Sequence, residues 1–171
     1  MKRALLIVSM LLVATPAFAQ AHRGFTVLAN VGVGFQTDTF YDETATGVAG
    51  VNFGAGAFVT DRIAVLGRFS GTSATFDASG GARQMSGVWG GTVQFWMNNW
   101  ASVEFGGGYG RWSDEFNDSE DGFGLITAFH ASVFQRGSHH IRAGVEYTPV
   151  FTEVNVHNLG VVVGYQYAKT K

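Results

Sequence analysis

The chain contains no cysteine. Disulfide frameworks and thiol chemistry are therefore excluded. After residue 13 there is no apolar run long enough to form a transmembrane helix, which needs about 20 residues. Charged residues are sparse, at 14%, and the 11 Lys and Arg are outnumbered by 13 Asp and Glu. A basic surface for nucleic acid is thus not expected. Ligand spacing of the EF-hand kind is missing from the acidic stretch 114–121. Gly106-Gly107-Gly108-Tyr109-Gly110 alternates as a strand and opens no helix, so it fails the context of a phosphate loop. No catalytic residue, metal site or cofactor is assigned.

What the chain does have is an unusual pairing: 46% hydrophobic residues together with 24 glycines. Eight stretches alternate in polarity, with the apolar residues at odd numbers. The first runs Phe25, Val27, Ala29, Val31, Val33, Phe35, and the last Leu159, Val161, Val163, Tyr165, Tyr167. Alternation with period two describes strands with one greasy face and one polar or empty face. Strands are predicted at 25–36, 47–59, 63–76, 83–96, 100–112, 122–135, 139–151 and 158–168. Tight turns are predicted at 60–62, 97–99 and 136–138, alternating with longer polar segments near 37–46, 77–82, 113–121 and 152–157.

Residues 1–19 have the form of a secretory signal. Lys2 and Arg3 precede an apolar stretch from Ala4 to Val13, Pro16 breaks any helix, and Ala17-Phe18-Ala19 supplies small residues for cleavage between Ala19 and Gln20. Residues 20–171 then form one domain. Without the signal the balance is nine basic to thirteen acidic residues, a net charge of −4.

The two patterns together predict an all-β protein, an eight-stranded antiparallel up-and-down transmembrane β-barrel of the bacterial outer membrane. Both termini would be periplasmic and the longer loops extracellular. Charge placement agrees. Asp38, Asp42, Glu43, Asp77, Asp114, Glu115, Asp118, Glu120, Asp121 and Glu153 fall in the outer segments; Arg23, Arg62, Arg136, Lys169 and Lys171 fall on the other side. Interfacial aromatic belts are expected from Phe25, Phe58, Phe95, Trp96, Trp100, Phe134, Tyr165 and Tyr167 below, and from Phe35, Tyr109, Trp112, Phe123 and Phe151 above.

On this architecture the chain resembles the small outer-membrane barrels of the OmpA-transmembrane and OmpX-like group. Gly164-Tyr165-Gln166-Tyr167 is similar to the aromatic-rich last strand read by the barrel assembly machinery, with Tyr165 and Tyr167 as the signal. Val162 stands where that signal usually has Gly, and Ala168-Lys169-Thr170-Lys171 extends beyond its usual end. A monomer surrounded by outer-membrane lipid and lipopolysaccharide is expected.

The inward face carries Arg68, Glu104, His130, Arg142 and Glu146. Buried charges must pair, so a salt-bridged core filling the lumen is expected, with a structural or surface-interaction role and no catalysis. Two alternatives stay open. The pairs could rearrange to form a narrow channel for ions or small solutes. His130-Ala131-Ser132 also resembles the His-x-Ser pair of lipid A deacylase barrels, with Glu146 as a third member. Asp114, Glu115, Asp118, Glu120 and Asp121 are read as a solvated acidic surface loop.

Overall fold

The computed structural model describes residues 22–39, 43–76, 81–116, 118–153 and 155–170. The proposed signal segment, its cleavage point at Ala19 and Gln20, and Asp42, Asp77 and Lys171 lie outside them. The strands are β1 (His22–Asp38), β2 (Glu43–Phe58), β3 (Ile63–Phe76), β4 (Ala82–Trp96), β5 (Ala101–Asp114), β6 (Ser119–Arg136), β7 (His139–Tyr147), β8 (Val150–Phe151) and β9 (Val156–Thr170). β1 to β6 each pair antiparallel with the next strand, β7 and the short β8 both lie between β6 and β9, and β1 pairs with β9, so the sheet closes on itself.

The ring has eight positions, because β7 and β8 share one. Thr148 and Pro149 interrupt that strand, since proline has no N–H for the ladder. The wall stays sealed there: Leu125 N donates to the Pro149 carbonyl at 3.0 Å, and Thr148 N to Asn158 O at 2.9 Å.

Tight turns mark one end of the barrel. Thr60 Oγ1 accepts from the amides of Arg62 and Ile63, and Asn98 Oδ1 from those of Trp100 and Ala101. Gly137 has φ 58°, a backbone conformation that other residues rarely adopt. The opposite end carries the longer segments. The two are called the turn end and the loop end below.

Along most of the wall the predicted parity holds, as in β9, where Val161 is 59% exposed and Val162 only 1%. It fails in two places. In upper β2, Ala45 and Ala49 point inward while Thr44, Thr46 and Val48 point out. The register with β1 and β3 shifts around Gly50, whose φ is +61°. This is a β-bulge, in which one extra residue reverses the faces beyond it. The second shift lies between Ser132 and Phe134, where Val133 and Phe134 are both exposed. The expectation that apolar odd-numbered residues face outward throughout is therefore corrected at these bulges.

Three residues assigned to the interfacial belts are also relocated. Trp96 and Trp112 are buried in the lumen, and Phe58 packs on the inward cluster of Leu28, Ala64 and Leu66. All three are even-numbered, so alternation places them inside and overrides the general preference of aromatics for interfaces.

The bulge gives a direct test. Single-cysteine variants at Val48 and Val161 should react with a lipid-soluble maleimide in bilayers, and those at Ala49 and Val162 should be protected. Protection of Val48 with labelling of Ala49 would remove the β2 bulge.

Candidate functional site: a filled lumen

Alternation brings even-numbered side chains from all strands into a space barely wide enough for them. Following β4 from the turn end upward shows the order. Trp96 lies in an aromatic floor with His22, Phe58 and His140; His22 is centred 4.8 Å from Phe58 and 4.6 Å from Trp96. Gln94 opens an amide layer. It accepts from Trp96 Nε1 at 3.0 Å and from Gln166 Nε2 at 2.8 Å, and Gln166 Nε2 also donates to Thr26 Oγ1.

Thr92 belongs to the charged layer, which is centred on Arg68. Arg68 Nε donates to Glu104 Oε1 at 2.6 Å, Nη1 to Asn52 Oδ1 at 2.8 Å and Nη2 to Glu146 Oε2 at 2.8 Å. Thr92 Oγ1 donates to the same Glu104 oxygen at 2.7 Å. Asn52 Nδ2 donates to Glu146 Oε2, Ser70 to Glu146 Oε1, and Asn30 Nδ2 to Asn52 Oδ1. Arg68, Glu104 and Glu146 are all buried. One planar guanidinium thus ties together β2, β3, β5 and β7, using the fork geometry that arginine offers and lysine does not. Gly54 makes room for it: a Cβ there would lie 2.6 Å from Arg68 Cδ.

Above this layer Val88, Ile126 and Val150 form an apolar disc. Ser86 then bonds Asn158, whose Nδ2 also reaches the Thr148 carbonyl at 2.7 Å. Nearest the loop end Gln84 accepts from Trp112 Nε1 at 3.1 Å, and Ala45, Ala74 and Phe76 cluster.

The five residues selected from the sequence all line the lumen, but they do not form one network. Arg68, Glu104 and Glu146 come together. Arg142 makes no ion pair among the described residues; it donates through Nη1 to Gln166. His130 is buried with no hydrogen-bond partner for either ring nitrogen among the described residues. It packs against Gly144, where a Cβ would lie 2.7 Å from the ring. Pairing of the second arginine with a carboxylate is thus corrected: the fork of Arg68 reaches both glutamates. Sequence reading passed over Asn30, Asn52, Ser70, Thr92, Gln94 and Gln166, although their even parity marked them as inward.

The His-x-Ser arrangement is not assembled as a dyad. Ser132 Oγ lies 3.0 Å from His140 Nδ1, and Glu146 is held by Arg68, Asn52 and Ser70. In the acidic segment Asp114 Oδ1 accepts from the amides of Phe116 and Asp118, each at 3.0 Å, so it shapes the turn. Asp121 accepts from Tyr109 OH and lies 3.8 Å from Arg111 Nε. Glu115 and Asp118 are exposed and Glu120 is half-buried. No group of three or more potential metal ligands occurs among the described residues. Tyr165 and Tyr167 face outward on the closing strand, where Tyr165 OH bonds His139 Nδ1 at 2.6 Å and Tyr167 stacks on Phe25.

A closed wall of eight antiparallel strands, an apolar outer face and a side-chain-filled interior define the small outer-membrane β-barrel as a fold class. Solved structures agree. Neisserial surface protein A superposes with a TM-score of 0.57 at 16% identity, covering 84% of this chain and 96% of its own. Ail, the attachment invasion locus protein of Yersinia pestis, gives 0.55 at 16% identity, covering 84% and 99%. Ail in complex with the heparin analogue sucrose octasulfate gives 0.51 at 18% identity, with the same coverage. No protein-family model and no curated protein sequence matches the chain. The likeness is one of fold.

Arg68→Ala should strand two buried carboxylates and cost about 3–5 kcal/mol, the range for breaking a buried pair. Arg142→Ala, which leaves no ion-paired carboxylate behind, should cost less. Urea unfolding in detergent, followed by circular dichroism, measures both; equal losses or the reverse order would overturn the central place of Arg68.

Proposed function

We propose that the protein is a monomeric, non-catalytic barrel of the bacterial outer membrane that conducts no ions and works through its outer wall and its loops. The observation carrying this reading is the filled lumen: the aromatic floor, the Arg68 layer and the apolar disc block the axis at separate levels. A passage would require a buried arginine to leave both carboxylates at once, which is costly in a confined space.

The outer wall supports the membrane location. Val31, Val33, Phe53, Val65, Val93, Phe105, Val145, Val161 and Val163 are all exposed, and a water-soluble protein rarely displays apolar surface on this scale. Outward charges sit near the strand ends, as at Arg23, Arg83, Arg111 and Lys169. A Lys or Arg at mid-bilayer would cost about 2–4 kcal/mol. The turn end is assigned to the periplasm, and the loop end, with Asp114 to Asp121, to the outside.

The wild-type protein reconstituted in a planar bilayer should therefore show no single-channel steps above leak. Reproducible steps would overturn the filled-lumen reading.

The closing strand is assigned the assembly signal. Tyr165→Ser combined with Tyr167→Ser should leave unassembled protein in the periplasm, measured by fractionation. Normal outer-membrane levels of the double variant would remove that assignment.

A further inference from the structure

The outer wall of β3, β4 and β5 carries a groove of about 490 Å³ near the loop end. Its origin lies in the cross-strand pairing. Gly71 and Gly87 stand directly opposite each other on the outward face, and the Phe69 ring lies over both: a Cβ would come within 3.0 Å of it at Gly71 and 3.3 Å at Gly87. Immediately toward the turn end, Phe69 pairs with Trp89 and Trp89 with Tyr109. The Phe69 and Trp89 rings are centred 4.4 Å apart, and Phe53 packs on both. Val48 and Val51 line the flank, Val48 because the Gly50 bulge turns it outward. The recess is therefore apolar, floored by the Phe69 ring over the two glycines and walled by Trp89, Met85, Val48 and Val51.

The upper rim is cationic. Arg83 on β4 and Arg111 on β5 both line the groove. Arg83 Nε donates to Ser73 Oγ at 2.7 Å, and it has no carboxylate partner among the described residues. Arg111 stands opposite Gly87, donates through Nη2 to Ser119 Oγ at 3.2 Å, and approaches Asp121 at 3.8 Å. Each guanidinium carries five N–H donors, so these contacts leave donors for an anion. The rim thus carries two cations and one carboxylate beside an acidic loop that repels free anions. Trp89 and Tyr109 are residue types that collect where hydrocarbon meets headgroups.

An apolar slot below two arginine forks complements an anionic lipid, with a chain in the slot and a phosphate at the rim. We propose that this groove seats one acyl chain of lipopolysaccharide, with Arg83 and Arg111 holding a lipid A phosphate. The choice of that lipid rests on the orientation proposed above, which places the loop end in the outer leaflet. Asp121 limits the site by competing with the phosphate for Arg111.

The full-length mature protein, refolded into phosphatidylcholine nanodiscs, tests this by native mass spectrometry with bisphosphorylated lipid A, dephosphorylated lipid A and inorganic pyrophosphate as probes. Saturable one-to-one binding of bisphosphorylated lipid A is expected, with dephosphorylated lipid A roughly tenfold weaker. Arg83→Ala combined with Arg111→Ala should lose a similar factor while circular dichroism stays unchanged, because both side chains are exposed. Gly87→Val keeps both arginines but crowds the Phe69 ring and fills the recess, and should also weaken binding; Asp121→Asn should strengthen it. Binding by the double arginine variant within about twofold of wild type would overturn the proposal. So would an unaffected Gly87→Val variant, or pyrophosphate binding as tightly as lipid A, since either would mean an anion patch without a chain seat. Conductance is read separately. A conducting barrel with this binding pattern would overturn the filled lumen alone, and a closed barrel without it would overturn the groove alone.

Discussion

The pairing of β1 with β9 is the constraint from which the rest of the structure follows. Hydrocarbon offers no hydrogen-bond partner to a backbone amide, so a sheet crossing it can have no free edge. The seam runs from His22 opposite Thr170 to Asp38 opposite Val156. Closing a ring of eight positions fixes a narrow bore, and a narrow bore must be filled by the side chains that alternation sends inward. Polar side chains delivered there lose water, which makes each unpaired group costly and favours pairing between them. Arg68 is the consequence at the centre, where one guanidinium and two carboxylates share a layer with Asn52, Ser70 and Thr92.

Most of this was legible in the sequence because period two is a strong signal when both faces have strict requirements. The strand number, the tight turns and the inward placement of Arg68, Glu104, His130, Arg142 and Glu146 all follow from parity. The upper half of β2 was not legible. Gly50 in a left-handed conformation adds a residue, and the one trace of it in Gly47-Val48-Ala49-Gly50-Val51 is an apolar side chain at an even number, Val48, too little to place a bulge. Trp96 and Trp112 show the opposite failure. Their even numbers place them inside, and the general preference of tryptophan for interfaces points the other way, so the local rule decides.

Partner choice inside the lumen was out of reach for a different reason. Strand stagger decides which side chains share a layer, and stagger is a property of closure and bulges that no single strand encodes. Four charges in balance suggested two pairs. The register instead brings Arg68 to both glutamates and leaves Arg142 beside Gln166. The glycines take part in that selection. Gly54 and Gly144 stand where a Cβ would strike Arg68 and His130, so they reserve volume for the large inward side chains of neighbouring strands.

The outward glycines obey a different logic. Gly67 opposite Gly91 and Gly71 opposite Gly87 flank the Phe69 and Trp89 pair on the lipid face. A Cβ at Gly67 or Gly91 would meet only backbone oxygen near 4 Å, so no crowding requires glycine there. Glycine in a strand forgoes side-chain packing and weakens the strand, and lipid would accept any aliphatic residue in its place. The lower pair therefore leaves a gap in the wall where stability alone favours a smooth apolar surface, while the upper pair seats the Phe69 ring, which a Cβ would crowd at 3.0 Å from Gly71 and 3.3 Å from Gly87. Above that seated ring the recess meets two arginines. The same residue type thus makes space for side chains inside the barrel and a recess on its outside. Which of the two it does is decided by parity, and at Val48 by the single bulge that reverses it.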